Sequence, residues 1–157
     1  MPISVYPPYR LVAEKEDYQI SHDIPTDHGR LMDASTECNA QFEWEGQDVN
    51  IKVDFVSQKI RAGATMTDDL LKHEQGHADI CFLAAVATGW EITKHPKRGK
   101  QIISEHQRRT KVLERLYDRE TVHGTNQAHQ KKWNQILDNA IKFAPMRRHV
   151  NLSGHRL

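Results

Sequence analysis

Thr67-Asp68-Asp69-Leu70-Leu71-Lys72-His73-Glu74-Gln75-Gly76-His77-Ala78-Asp79-Ile80-Cys81-Phe82-Leu83-Ala84-Ala85-Val86-Ala87 decides both the fold class and the chemistry of this chain. The stretch holds no proline. It opens on a threonine followed by two acids, a helix N-cap with negative charge at the positive end of the macrodipole. From Ala78 to Ala87 it is apolar except at Asp79, and a helix apolar on nearly all sides is a buried one. Gly89 is the expected stop. On this helix His73 and His77, four apart, share a face one turn apart, so both imidazoles reach one metal ion. Glu74 lies about 100° around the axis from His73, where it addresses a metal-bound water without taking a ligand position. H-E-x-x-H on a central helix is the layout of a zinc peptidase. The plain alternative is two hydrogen-bonded histidines beside a surface glutamate. Gly76 costs a helix about 0.5–1 kcal/mol relative to alanine and so marks a close approach to the backbone, by substrate or by a packed helix.

Outward from the helix, Cys38, Ala40, Phe42 and Trp44 alternate with polar residues, Glu45-Gly46-Gln47-Asp48 signals a turn, and Val49, Ile51, Val53 and Phe55 alternate again. This pattern predicts a hairpin with one buried face. Tyr18 to Ser21 adds a strand, and the proline-rich opening Met1–Tyr9 reads as an extended arm. Gly63 separates this region from the helical half. Trp90 to Lys100, rich in Lys, Pro and Gly, reads as a projecting loop. A helix follows from about Gln101 to Arg119, with Ile102, Ile103, Val112, Leu113, Leu116 and Tyr117 as its apolar stripe. Thr121-Val122-His123-Gly124 breaks it. A last helix runs from about Asn126 to Lys142 with Trp133, Ile136, Leu137, Ala140 and Ile141 on one side, and Pro145 ends it. The residues 146–157 form a basic tail, read as mobile. The expected fold is α+β: one domain over 1–157, mainly β over 1–65 and mainly α over 66–145, a small, mainly antiparallel sheet packed on about three helices.

A chain of 157 residues suits one domain and can bury a core. With 22 basic and 21 acidic residues the net charge is +1, which gives no global bias toward nucleic acid or membranes. No window reaches the apolar length of a membrane span, and the N-terminus lacks the pattern of a signal peptide, so the protein is cytoplasmic or a leader has been removed. Cys38 and Cys81 do not fit a cysteine zinc knuckle. Cys81 lies four residues after His77 on the ligand face. Burial as a small hydrophobe is the favoured reading, ahead of a disulfide to Cys38 and of a soft extra ligand.

A catalytic zinc keeps three protein ligands and one water, so a third ligand must come from elsewhere. The candidates downstream are Glu114, Asp118, Glu120 and His123. Glu114 and Asp118 are four apart on a helix, whereas His123 sits in the break before Gly124. These residues carry a resemblance. His73-Glu74-Gln75-Gly76-His77-Ala78-Asp79-Ile80 followed by Tyr117-Asp118-x-x-Thr121-x-His123-Gly124-x-x-Gln127 resembles a family of bacterial predicted secreted zinc-dependent proteases catalogued as a domain of unknown function (DUF922). The resemblance covers about Cys38 to Trp133. It implies a zincin-like metallopeptidase, secreted or periplasmic, with His73 and His77 binding metal, Glu74 as the base, and Asp118, Thr121 and His123 in the same site.

Imidazole suits zinc and a loop suits convergence, so His123 ranks first as third ligand, Asp118 next and Glu114 third. Whichever of the first two is not a ligand orients a zinc histidine or stabilises the oxyanion. Tyr117 is a candidate oxyanion donor through its phenol, or simply core. The expected activity is hydrolysis of a peptide bond with Zn2+ as cofactor, Glu74 as general base and a protein or peptide substrate added to a sheet edge. Two alternatives stand: a non-catalytic zinc-binding module whose fourth position Cys81 fills, and a surface or nucleic-acid interaction protein using the basic stretch Lys94–Lys100 and the tail. The second lacks the interleaved aromatics of a nucleic-acid binder.

Overall fold

The structure is a computed structural model. It describes residues 2–24, 26–27, 30–144, 151–152 and 155–156, with 26–27, 30–31, 151–152 and 155–156 described by their backbone alone. In chain order the elements are β1 (Ile3–Tyr6), a 3-10 turn (Lys15–Asp17), β2 (Gln19–Ser21), β3 (Thr26–Asp27), β4 (Arg30–Leu31), β5 (Ala34–Glu45), β6 (Asp48–Arg61), α1 (Asp68–Lys94), a 3-10 turn (Pro96–Arg98), α2 (Gly99–Thr121), α3 (Gln127–Phe143), β7 (Asn151–Leu152) and β8 (His155–Arg156). The class is α+β, as the sequence predicts. The stop assigned to Pro145 and the tail character of 146–157 fall outside the described residues, apart from the antiparallel backbone pair β7–β8.

The alternation that predicts the hairpin gives β5 and β6, paired antiparallel with Trp44 opposite Val49, Phe42 opposite Ile51 and Ala40 opposite Val53. Gly46, at φ +59°, makes the turn. The sheet as a whole is not mainly antiparallel. β1 pairs parallel with Val49–Lys52 of β6, and β2 pairs parallel with Lys59–Arg61. Two of the three pairings in this sheet are therefore parallel, and β1 and β2 lie end to end along the edge of β6 that β5 leaves open. The proline-rich opening is correspondingly a strand over Ile3–Tyr6 and not a free arm. Four apolar and polar residues between prolines carry too little periodicity to announce a strand; pairing with a long neighbour makes it one.

Helix α1 starts as its sequence dictates, with Thr67 Oγ1 accepting from the Leu70 amide at 3.1 Å. It does not stop at Gly89. It continues through Trp90, Ile92 and Thr93, all buried, to Lys94. A side chain on Gly89 would collide with Ile51 of β6, so this glycine serves sheet packing and not termination. The projecting loop expected over Trp90–Lys100 shrinks to the turn at Pro96–Arg98 because burying Trp90 and Ile92, at about 1.5–3 kcal/mol for a large apolar side chain, outweighs the helix cost of one glycine.

Both sides of α1 are covered. Ala78, Phe82, Ala85 and Val86 pack on Ile3, Val49, Ile51 and Val53 of the sheet. Ile80, Leu83, Ala84 and Ala87 pack on Leu113 and Tyr117 of α2 and on Trp133 and Leu137 of α3. The one charge in the apolar run is also accounted for. Asp79 accepts from Arg10 Nε and Nη2 at 2.8 and 2.6 Å, and Gln75 bonds the Ala13 amide at 2.8 Å and the Leu11 carbonyl at 2.9 Å. These bonds strap the segment between β1 and β2 onto α1.

Cys38 and Cys81 are joined by a disulfide with Cα atoms 6.5 Å apart, which corrects the favoured reading of Cys81 as a simple buried thiol. It ties the middle of β5 to α1 across 43 residues. Gly76 is resolved as well. The Tyr117 hydroxyl stands where an alanine methyl would go, so a packed helix and not a substrate explains that glycine.

Two outcomes follow for stability. Gly76→Ala is expected to destabilise the fold by about 1–3 kcal/mol, the cost of overpacking, despite the ~1 kcal/mol that alanine gains in a helix. Urea unfolding checks the sign, and a stabilised variant would mean that Tyr117 moves aside freely. Replacing Cys38 and Cys81 together by alanine should cost about 4 kcal/mol in the loop-closure account of a cross-link of this span. Oxidised and reduced wild type with equal midpoints would rule that contribution out.

Candidate metal centre

His73 and Glu74 are each 2% exposed, and His77 lies one turn on at the floor of a cleft of about 230 Å³. The tautomer of His73 is fixed by its surroundings. Its Nδ1 is 2.9 Å from Gln130 Oε1. The Gln130 amide nitrogen donates to the Tyr117 hydroxyl at 2.8 Å and to Asn134 Oδ1 at 2.9 Å, so the amide oxygen faces His73 and accepts. Nδ1 therefore carries a hydrogen, and in the neutral ring Nε2 carries the lone pair.

That lone pair points at another acceptor. Asp118 Oδ1 lies 3.1 Å from His73 Nε2 and 2.8 Å from His77 Nε2. Two acceptors at this distance repel unless a proton or a metal ion lies between them. Burial pushes the Asp118 carboxyl up, yet His77 and His73 hold it well below the usual carboxylate range. Burial likewise opposes charge on His77, but Asp118 raises its affinity for a proton well above the ordinary value. Two imidazole nitrogens and a carboxylate oxygen, converging on one point, form a donor set that suits zinc.

The side chains of His73, Glu74 and His77 bring their ligand atoms within 4.8 Å of one another. Glu74 is nevertheless engaged from the other side. Its Oε2 accepts from Thr36 Oγ1 of β5, which in turn accepts from the Tyr18 hydroxyl at 2.6 Å. Burial, opposed by Thr36, pushes the Tyr18 phenol up to about 12.

The loop after α2 wraps the histidines. Val122, His123 and Gly124 adopt left-handed backbone at φ +49°, +52° and +86°, a conformation that costs an L-residue roughly 1–2 kcal/mol. His123 N donates to the Asp118 carbonyl at 2.9 Å and Asn126 N to the Thr121 carbonyl at 2.8 Å, which hold the loop in place. A side chain on Gly124 would press on His73 Cβ and Cγ at 2.9 Å. Only glycine lets the loop come this close.

The sequence candidates are thus sorted by position. Asp118 lies between both histidines, while His123 Nδ1 meets the group at 3.7 Å from Asp118 Oδ1. α2 thus brings Asp118 directly against both histidines of α1, while the loop carries His123 to Asp118. Glu114 Oε1 is 3.8 Å from His77 Nδ1. Glu120 leaves the group altogether, its carboxylate accepting from the Trp133 indole at 2.7 Å. Thr121 is fully buried, donating to the Tyr117 carbonyl at 2.8 Å, with Oγ1 3.4 Å from His73 Nδ1.

Tyr117 is misplaced for the oxyanion role. Its ring is fully buried and stacks on His73 with centroids 4.8 Å apart, and its hydroxyl donates to the His73 carbonyl at 2.8 Å. It buttresses the imidazole from behind. Three residues of the site escaped the sequence reading: Thr36, Tyr18 and Gln130. None belongs to a spacing motif, and each reaches the site only through packing of a distant element on α1.

No family model, no curated protein and no solved structure matches the chain significantly, so the functional reading rests on these residues and their geometry.

Proposed function

We propose that this protein is a zinc-dependent metallopeptidase of zincin type. The observation that carries the reading is His73 Nε2, its ring oriented by Gln130, aimed with His77 Nε2 at one oxygen of Asp118, beside a buried Glu74. His73, His77 and Asp118 would hold the ion, with His123 next to them. When bound, zinc supplies a Lewis acid and lowers the pKa of its water.

The chain's own residues do the rest. Thr36 occupies Glu74 Oε2 and so leaves Oε1 to take a proton from the attacking water and pass it to the leaving amine. His123, half-buried at the rim of the cleft, is placed to donate to a developing oxyanion. The outer edge of β5 has no strand partner among the described residues, and Ala34–Glu37 at its start line the cleft, so an extended substrate would pair there through its main chain.

One feature weighs against the non-catalytic zinc module: Cys81, the residue that would close such a site, is bonded to Cys38. The disulfide also supports an oxidising compartment, in keeping with export. No helix among the described residues is long and apolar enough to cross a membrane.

Glu74→Gln should retain zinc and lose about 10²–10⁴-fold in hydrolysis of an unfolded polypeptide, since the amide accepts no proton. Metal analysis beside the peptidase assay tests it; near wild-type turnover would remove Glu74 from the mechanism. For the third ligand, Asp118→Ala should lose most bound zinc, whereas His123→Ala weakens binding by no more than the 10–100-fold of an outer partner. Zinc dissociation constants decide, and the inverse order would restore His123 as the ligand.

A further inference from the structure

A second groove, of about 510 Å³, adjoins the cleft and runs between β5 and α2 over the middle of α1. Thr36, Glu37, Lys111 and Glu114 line both, so the two are continuous. Away from the site the groove extends to Phe42, Thr88 and Ile103.

Three observations say what the groove takes. First, one wall is the free edge of β5, a row of amides and carbonyls with no backbone partner among the described residues beyond β6. Second, the inward row of β5, Cys38, Ala40, Phe42 and Trp44, is only half-buried, while Val49, Ile51 and Val53 opposite it on β6 are buried. The core is covered on the β6 side and open on the β5 side. Third, charge is confined to the site end, at Glu37, Lys111 and Glu114. Beyond it the floor is Cys81, Ala84 and Ala85, and the α2 wall carries Ile103 with the uncharged Gln107 and Thr110 and with His106, held toward its neutral form by burial and by Arg109.

From these we infer that the groove is the binding track for the substrate chain on one side of the scissile bond, and that it selects extended segments with apolar side chains at every second position. This deepens the peptidase reading and rests on it. A strand added to the β5 edge has the period of two of its neighbour, so alternate side chains point with Ala40 and Phe42 onto α1 and the others point away from it. Thr36 to Phe42 spans about 20 Å, so recognition extends roughly six residues from the cut. The substrate class is unfolded or strand-forming polypeptide.

The test measures binding apart from turnover. Zinc-loaded Glu74→Gln protein is titrated into a fluorescein-labelled peptide of about twelve residues with alternating Val and Ser, and into a peptide of the same composition with its valines in one block. Anisotropy should show the alternating peptide binding at least about tenfold more tightly. Ala40→Trp, which fills the groove, should weaken that binding about tenfold or more with zinc content unchanged; if it does not fold, Thr110→Glu, which puts a carboxylate on the α2 wall, should do the same. Equal affinity for the two peptides, or unweakened binding to the folded variants, overturns the inference. So does sedimentation showing that the groove holds a second copy of the chain, with self-association lost in Ala40→Trp. Binding as expected without hydrolysis by wild type would sink the peptidase reading and leave the groove; hydrolysis without selective binding would do the reverse.

Discussion

A helix packed between the sheet and two other helices that nonetheless carries buried His73, Glu74 and Asp79 and half-buried Gln75 imposes one constraint on the whole molecule: each of these polar groups must find a partner within the protein. An unpaired one would cost about 1–3 kcal/mol. The partners come from four directions. Gln130 of α3 takes His73 Nδ1, Asp118 of α2 faces both Nε2 atoms, Thr36 of β5 holds Glu74, and Arg10 from the segment after β1 neutralises Asp79. Apolar packing brings the layers together, but these pairs fix which residues of each layer meet α1.

The same pairs organise the site. His73 is gripped on three sides, by the Tyr117 ring, the Gln130 amide and the Gly124 backbone, so its orientation is set before any ligand arrives. Such preorganisation is what a metal centre requires, since ligands left to rotate lose affinity and selectivity. The left-handed turn at Val122–Gly124 is strained backbone held by its surroundings, and it lies against the most constrained histidine of the group.

The sheet contributes differently on its two edges. β6 is flanked on both sides, by β5 and by the collinear pair β1 and β2, and its inward side chains Val49, Ile51 and Val53 are buried. β5 is an edge strand of 12 residues whose inner face is half-open. Long exposed edges are hazards that proteins usually blunt. Here the disulfide pins the strand's middle to α1, so the edge is fixed beside the cleft.

Local signals settled much of this. The threonine cap, the apolar run and the i, i+4 histidines specified α1 and the pairing of His73 with His77, because helix geometry fixes those relations whatever the rest of the chain does. Alternation specified the β5–β6 hairpin, and a helix break was legible in Thr121-Val122-His123-Gly124, though not its left-handed backbone. What lay beyond was nonlocal. That β1 and β2 join β6 in parallel, that Gly89 continues a helix, that Asp118 meets both histidines, that Tyr117 turns its hydroxyl inward, and that Cys81 bonds Cys38 all depend on which distant residue occupies a neighbouring space. The sequence by itself determined the helix and the histidine pair it presents; tertiary structure alone decided their partners, because a buried polar group is satisfied by whatever the packing of remote elements places within about 3 Å of it.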